Sequence, residues 1–268
     1  SWGGFIIRSF EEASVWQILL LRSVFFMIAL IVFLTTTYRK NTIKIIKDAG
    51  YPAVLGGLVM SLSFVAFVVS MSNTTVANVV FIISTQTMFL AIFGYFYLKE
   101  KVSLISFFSI LLAMSGITVM VGDSLATGSF FGNIVALAIP INFSILVMII
   151  RKNKNLDMVP AIFYSGIFSI IYGLILSESF SFTSHDILMG FYLGVPQLAF
   201  GFICITIGSR TTPSTTIGLL MLTETLFGPI WVWLFMEEIP PSSVLIGGIV
   251  IIFAIILKSL DKKVISNN

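Results

Sequence analysis

The sequence predicts an all-α membrane fold of ten transmembrane helices, arranged as two inverted five-helix repeats over residues 1–122 and 130–260. Three observations carry this expectation. The 268 residues are 57% apolar and only 10% charged, with a mean hydropathy of +1.07, whereas soluble domains hold about 25% charged and about 45–50% apolar residues. Lys and Arg gather in alternate loops, and the chain aligns with itself when shifted by 138 residues. So little charge leaves too little polar surface to coat a soluble particle, so most of the outer surface must face hydrocarbon. Disordered, collagen-like and disulfide-rich secreted classes are excluded with it.

Crossing the hydrocarbon takes about 20 mostly apolar residues in a helix. Ser1 to Phe10 (SWGGFIIRSF) reads as the end of a first helix whose beginning is absent. Nine complete runs follow, near 15–37, 51–71, 74–98, 103–122, 130–150, 158–177, 186–208, 212–236 and 242–260. Pro52, Pro160, Pro213, Pro240 and Pro241 stand at or just before helix starts, where a missing N–H costs nothing. The loops are too short for an extramembrane domain.

Orientation follows from the excess of Lys and Arg in cytoplasmic loops. Of 15 basic residues, Arg39, Lys40, Lys44, Lys47, Lys99, Lys101, Arg151, Lys152, Lys154, Arg210, Lys258, Lys262 and Lys263 fall on one side. The other side holds Arg8, and Arg22 lies inside a span. Ten helices with both termini cytoplasmic satisfy this split, and the expected location is a bacterial plasma membrane. The basic pI of about 9.0 is then a topology signal. A nucleic-acid partner, which needs cations gathered on one groove, is not expected.

The 138-residue shift lays Leu55–Ile117 on Leu193–Ile255 without a gap. Leu55, Gly56, Phe64, Thr74, Thr85, Thr87, Phe89, Ile92, Glu100 and Ile117 meet identical residues, against about five matches by chance in so apolar a chain. Helix ends, the mid-helix Thr-x-Thr and the terminal Glu coincide. Five helices per half is odd, so the second half enters from the opposite face, as in alternating-access carriers.

Residues 74–122 and 219–257 resemble the EamA repeat of the drug/metabolite transporter superfamily. The resemblance rests on a helix ending in an acidic residue (Glu100, Glu238), a short gap and a Gly-containing last helix. WGGFII at Trp2–Ile7 and LLLRSVFF around Arg22 are similar too. The resemblance implies a cavity ringed by helices one, three, four, six, eight and nine.

Ionisable groups inside a membrane are costly, about 2.5–3.5 kcal/mol at a helix centre, and so are functional candidates. Glu224 lies near the middle of its span, and its repeat counterpart is Gln86. At 100° per residue, Thr212, Thr216, Thr223, Glu224, Phe227 and Trp231 share one face of the ninth helix. Thr74, Asn78, Thr85, Gln86, Phe89 and Phe93 share the matching face of the fourth. Polar groups interleaved with aromatic rings suit an organic-solute cavity. Glu224 either pairs with a cationic group or exchanges a proton there, or it is a protonated, hydrogen-bonded link between helices.

Arg22, about seven residues inside its span, either snorkels to the surface or forms a gate with Glu11, Glu12, Glu237 or Glu238. Glu100 and Glu238 are expected as interfacial anchors. Pro140, Pro196 and Pro229 interrupt helices of the second half only, and bending there is expected to accompany access switching. Asn142 and Gln197, beside two of these prolines, either satisfy freed backbone groups or contact the solute. Trp2 is a further aromatic candidate. Gly190 and Gly194, with Gly56, Gly57, Gly116, Gly247 and Gly248, mark close helix approaches.

One Cys (Cys204) and one His (His185) argue against metal clusters and nucleophile–base pairs. No phosphate-binding G-x-x-x-x-G-K-[ST] loop is present, so no cofactor is expected and energy must come from a gradient, protons among the candidates. The sequence thus predicts a carrier of small organic solutes. A non-transporting membrane interaction protein of the same fold is the alternative, and an intramembrane enzyme the third reading.

Overall fold

The computed structural model describes residues 3–121, 129–223, 227 and 242–259. No strand occurs among them, as hydrocarbon requires of a chain whose backbone groups must be satisfied within each segment. Helix α1 (Gly3–Arg8) is followed by α2 (Val15–Tyr38). Ser14 and Gln17 start α2 as a reciprocal cap: the Ser14 N–H donates to Gln17 Oε1 at 2.7 Å, and the Gln17 N–H to Ser14 Oγ at 3.4 Å. A tight turn at Arg39–Asn41 leads into α3 (Thr42–Asn73). α3 is two helices joined at Gly50, whose φ of +54° and ψ of −152° are open to a residue without Cβ. Pro52 therefore begins the second, membrane-spanning part, as expected, but residues 42–49 are helical where a loop was predicted.

The fourth predicted span is split into α4 (Val76–Ser84) and α5 (Gln86–Leu98), with Thr85 between them. α6 (Leu104–Val121), α7 (Phe130–Lys152) and α8 (Val159–Leu176) follow. α7 continues through Pro140. Pro196 has a different effect. Between α9 (Ser184–Tyr192) and α10 (Phe200–Gly208), residues Leu193–Ala199 form a π-helical turn in which the Phe200 N–H reaches Val195 O. The wider turn relieves the clash between a proline ring and the carbonyl one turn back. α11 (Ser214–Thr223) and α12 (Ser242–Ser259) complete the described helices.

Among the described residues, five helical stretches are long and apolar enough to cross a membrane: Val15–Asn73, which holds α2 and α3, then Asn78–Leu98, Phe130–Lys152, Val159–Leu176 and Ser184–Gly208. Shorter apolar helices cover Leu104–Val119, Ser214–Thr223 and Leu245–Lys258. Outward-facing Phe96, Phe107, Phe130, Phe200, Ile249 and Phe253 are more than half exposed, the surface of a chain solvated by lipid. Among the described residues, hydrogen bonds between loops join loops of the same predicted set. At the basic end, the Tyr38 hydroxyl meets Asp157 at 2.5 Å and Arg210 donates to Lys154 O. At the opposite end, Gln17 Nε2 reaches Ser179 and Ser181, and the Glu11 N–H reaches Asp186.

The packing is consistent with the repeat. α3 lies along α8, and its 138-residue counterpart, the α9–π segment, lies along α2, the counterpart of α8; α6 pairs with α12. Small residues set these approaches. A methyl at Gly57 would meet Ala161 O at 2.7 Å and Ser165 N at 2.9 Å; at Gly194 it would meet Arg22 O at 2.5 Å; at Gly116, Gly247 O at 2.8 Å. The expected close approaches at Gly57, Gly116, Gly190 and Gly194 are therefore present. Between α2, α3, α7 and α10 the rings of Phe26, Phe64, Phe143 and Phe202 form a chain of edge-to-face contacts, with centroids 5.5–6.3 Å apart.

Candidate functional site

The polar stripe of the fourth span divides at the Thr85 break. Below it, Thr75 caps α4 by accepting the Asn78 N–H at 3.2 Å. The Asn78 side chain is buried and donates to Thr74 Oγ1 and Asn133 Oδ1, each at 3.3 Å, while the Thr74 hydroxyl donates to Asn133 Oδ1 at 2.8 Å. Asn78 thus ties α4 to α7, and its own Oδ1 is buried without a partner. The sequence reading missed Asn133, whose only signal is its polarity four residues into an apolar run. Asn133→Ala is expected to destabilise the fold by about 1–3 kcal/mol, because it strands buried polar groups; thermal unfolding of the detergent-purified protein measures this.

At the break, Thr85 Oγ1 donates back to Ile82 O at 2.6 Å. Gln86 follows and is buried. Phe89 and Phe93 continue the stripe with rings 6.1 Å apart. Thr87, outside the predicted stripe, makes the contact with the ninth span: its hydroxyl donates to Gly218 O at 3.0 Å, and a methyl at Gly218 would meet Thr87 Cα at 2.8 Å. On α11, Thr216 is half-buried and the Thr223 hydroxyl returns to Leu220 O at 2.7 Å. Phe227 is half exposed. Glu224, Trp231 and Trp2 lie outside the described residues, as do Glu237, Glu238 and Pro229. Asn142 is half-buried on α7.

Of the two readings expected for Arg22, snorkelling is excluded, because the side chain is wholly buried. The cause is the glycine seam: Gly194 lets the π-helical turn close on the α2 backbone at Arg22 itself, while α3 covers the other side. The guanidinium turns inward, donating from Nη2 to Phe64 O at 3.0 Å and standing 5.1 Å and 5.7 Å from the ring centres of Phe64 and Phe67. Nε and Nη1 have no partner. Glu11 and Glu12 are exposed and do not pair with it; their N–H groups donate to Asp186. Gln197 sits on the π-helical turn with Oε1 buried and unpartnered.

A third constellation closes the basic end. Lys99 is left-handed (φ +54°) and folds Glu100 back. One carboxylate oxygen accepts the Ser214 N–H at 3.1 Å, and the other pairs with Arg151, which also donates to Thr212 O. The ends of α5 and α7 are thereby pinned to the start of α11, where an anion also meets the positive helix terminus. Glu100 is the anchor that its position predicts, with partners that no spacing rule names.

These features define a multi-pass, all-helical membrane protein with two similar halves and polar groups buried between them. The model of the EamA-like transporter family matches residues 2–122 and again 130–260, and the chain belongs to that family. A protein of Clostridium kluyveri described as an uncharacterized transporter is 25% identical over 260 residues, spanning 89% of this chain and 82% of its own. A solved crystal structure superposes with a TM-score of 0.81 over 96% of this chain and 91% of its own at 14% identity, a likeness of fold alone. The protein is therefore a membrane transporter, embedded in lipid and suited to small solutes.

Proposed function

We propose that the protein is a secondary active carrier that moves small organic solutes by alternating access. In this reading ten transmembrane helices form two inverted repeats, residues 1–122 and 130–260, with both termini cytoplasmic in a bacterial plasma membrane. Gln86, Asn78, Thr85 and Phe89 from one half and Glu224, Thr216, Thr223, Phe227 and Trp231 from the other line the solute site, with Asn142, Gln197 and Trp2 at its edge. Driving energy comes from a gradient, protons included. The observation that carries the proposal is Gln86, buried directly after the mid-span helix break at Thr85, at the depth where carriers interrupt helices to bind solute.

Proteoliposomes screened against a mixed metabolite panel are expected to show saturable uptake with counterflow. Absence of flux for every solute, with specific capture of a protein partner instead, would favour the non-transporting alternative. Glu224→Gln is expected to lower uptake about tenfold or more, the scale of one lost charge-assisted hydrogen bond of about 1.5–3 kcal/mol, and to flatten its pH dependence, since Gln cannot exchange a proton. Uptake equal to the unsubstituted protein at every pH would remove Glu224 from the mechanism.

A further inference from the structure

Arg22 is a buried cation that faces no anion among the described residues. Its surroundings supply one neutral carbonyl, Phe64 O at 3.0 Å, and the faces of Phe64 and Phe67. Cation–π contacts reach about 2 kcal/mol when desolvated, enough to make a solitary guanidinium tolerable but not to satisfy Nε and Nη1, which are unpartnered. A second unsatisfied group lies on the same seam. Gly194 packs against the Arg22 carbonyl oxygen, and three residues further along the π-helical turn Gln197 holds a buried, unpartnered Oε1. Gln197 Nε2 and the tip of the Phe67 ring both flank Gly3, 2.7 Å and 3.2 Å from where a methyl would stand. Phe67 thus spans from the guanidinium to the amide.

We propose that this seam between α1, α2, α3 and the π-helical turn seats the carboxylate of the transported solute, with Arg22 as its charge partner and Gln197 as a second polar contact. One guanidinium balances one negative charge, and Phe26, Phe64, Phe67 and Phe202 offer apolar faces beside it. The solute class is therefore a monocarboxylate with an apolar body. This rests on the carrier reading and deepens it. An anion in the seat gives Nε and Nη1 the charge-assisted bonds they lack.

The test uses the full chain in detergent and in proteoliposomes, with 3-phenylpropionate, its amide and 3-phenylpropylamine as probes. Only the carboxylate is expected to raise the thermal midpoint in a saturable way and to compete in counterflow. Arg22→Gln should weaken that response about tenfold or more, and Arg22→Lys should retain part of it. Should Arg22→Gln fail to fold, Gln197→Glu carries the test: an internal carboxylate on the same seam is expected to raise the midpoint without ligand and abolish the response to 3-phenylpropionate. Equal protection by amide and acid, or an undiminished carboxylate response in Gln197→Glu, would overturn the anion seat. Saturable counterflow of other solutes alongside indifference to carboxylates sinks this inference and leaves the carrier standing. Carboxylate protection without any flux does the reverse.

Discussion

Glu100→Gln is expected to weaken the basic end of the molecule sharply, and Glu100→Gln/Arg151→Met to recover much of the loss. The single change leaves an acceptor for the Ser214 N–H but removes the charge that Arg151 faces. The two side chains are only 16% and 12% exposed, so Arg151 becomes a mostly buried cation held by the neutral Thr212 carbonyl. Breaking one partner of a buried pair costs about 3–5 kcal/mol, and the residual exposure places this case toward the lower end. Removing both charges abolishes the uncompensated cation, so the two effects should be strongly non-additive. A functional consequence accompanies the energetic one. Glu100 and Arg151 fasten α5 and α7 to α11, and a carrier that opens toward this end must release them. In a Cys204→Ser background, Thr215→Cys should react faster with an impermeant maleimide from the basic face when Glu100→Gln is present. Unchanged labelling together with an unchanged thermal midpoint would show that the pair neither closes nor stabilises this end.

The all-helical class and most of the described apolar helices were legible because a run of about 20 apolar residues satisfies its backbone as a helix in hydrocarbon and charge marks where such a run stops. Within the side that sorting marks as basic, the structure joins Tyr38 with Asp157, Arg210 with Lys154 and Glu100 with Arg151. What was not legible depends on neighbours rather than on runs. Residues 42–49 read as a loop because their polarity hides a helix that does not cross the membrane. The Thr85 break and the π-helical turn at Pro196 are local responses to packing, and only the proline leaves a trace in sequence; Pro140, equally visible, leaves α7 continuous. Arg22 is the sharpest case. Depth along a helix predicts snorkelling, but burial depends on what closes over the side chain, here a seam opened by Gly194 a hundred and more residues away in sequence. Asn78, proposed as cavity lining, also ties α4 to α7 through Asn133, a contact that no spacing in the sequence names.

Gly57→Val is expected to prevent correct assembly of the α3–α8 pair, whereas Gly201→Ala and Gly208→Ala are expected to be harmless. At Gly57 the first added carbon already meets Tyr164 Cβ, Ala161 O at 2.7 Å and Ser165 N at 2.9 Å. Two of those are backbone atoms of α8, which cannot turn aside as a flexible side-chain end does. Extra methylenes in a packed interior cost about 1–3 kcal/mol each way the structure yields, and more where it cannot. Valine adds two further carbons beyond the first contact, so α3 and α8 must part along their length. The chain of contacts then breaks at Phe64 and Phe26, which carry the seam around Arg22. Gly201 and Gly208 have nothing within 4 Å of an added methyl, and there alanine gains helix propensity of about 0.8–1.0 kcal/mol. Size-exclusion profiles and thermal midpoints in detergent separate the two classes. A monodisperse Gly57→Val protein melting with the unsubstituted chain would mean that α3 and α8 do not depend on this close approach, and that the seam at Arg22 is held by other contacts.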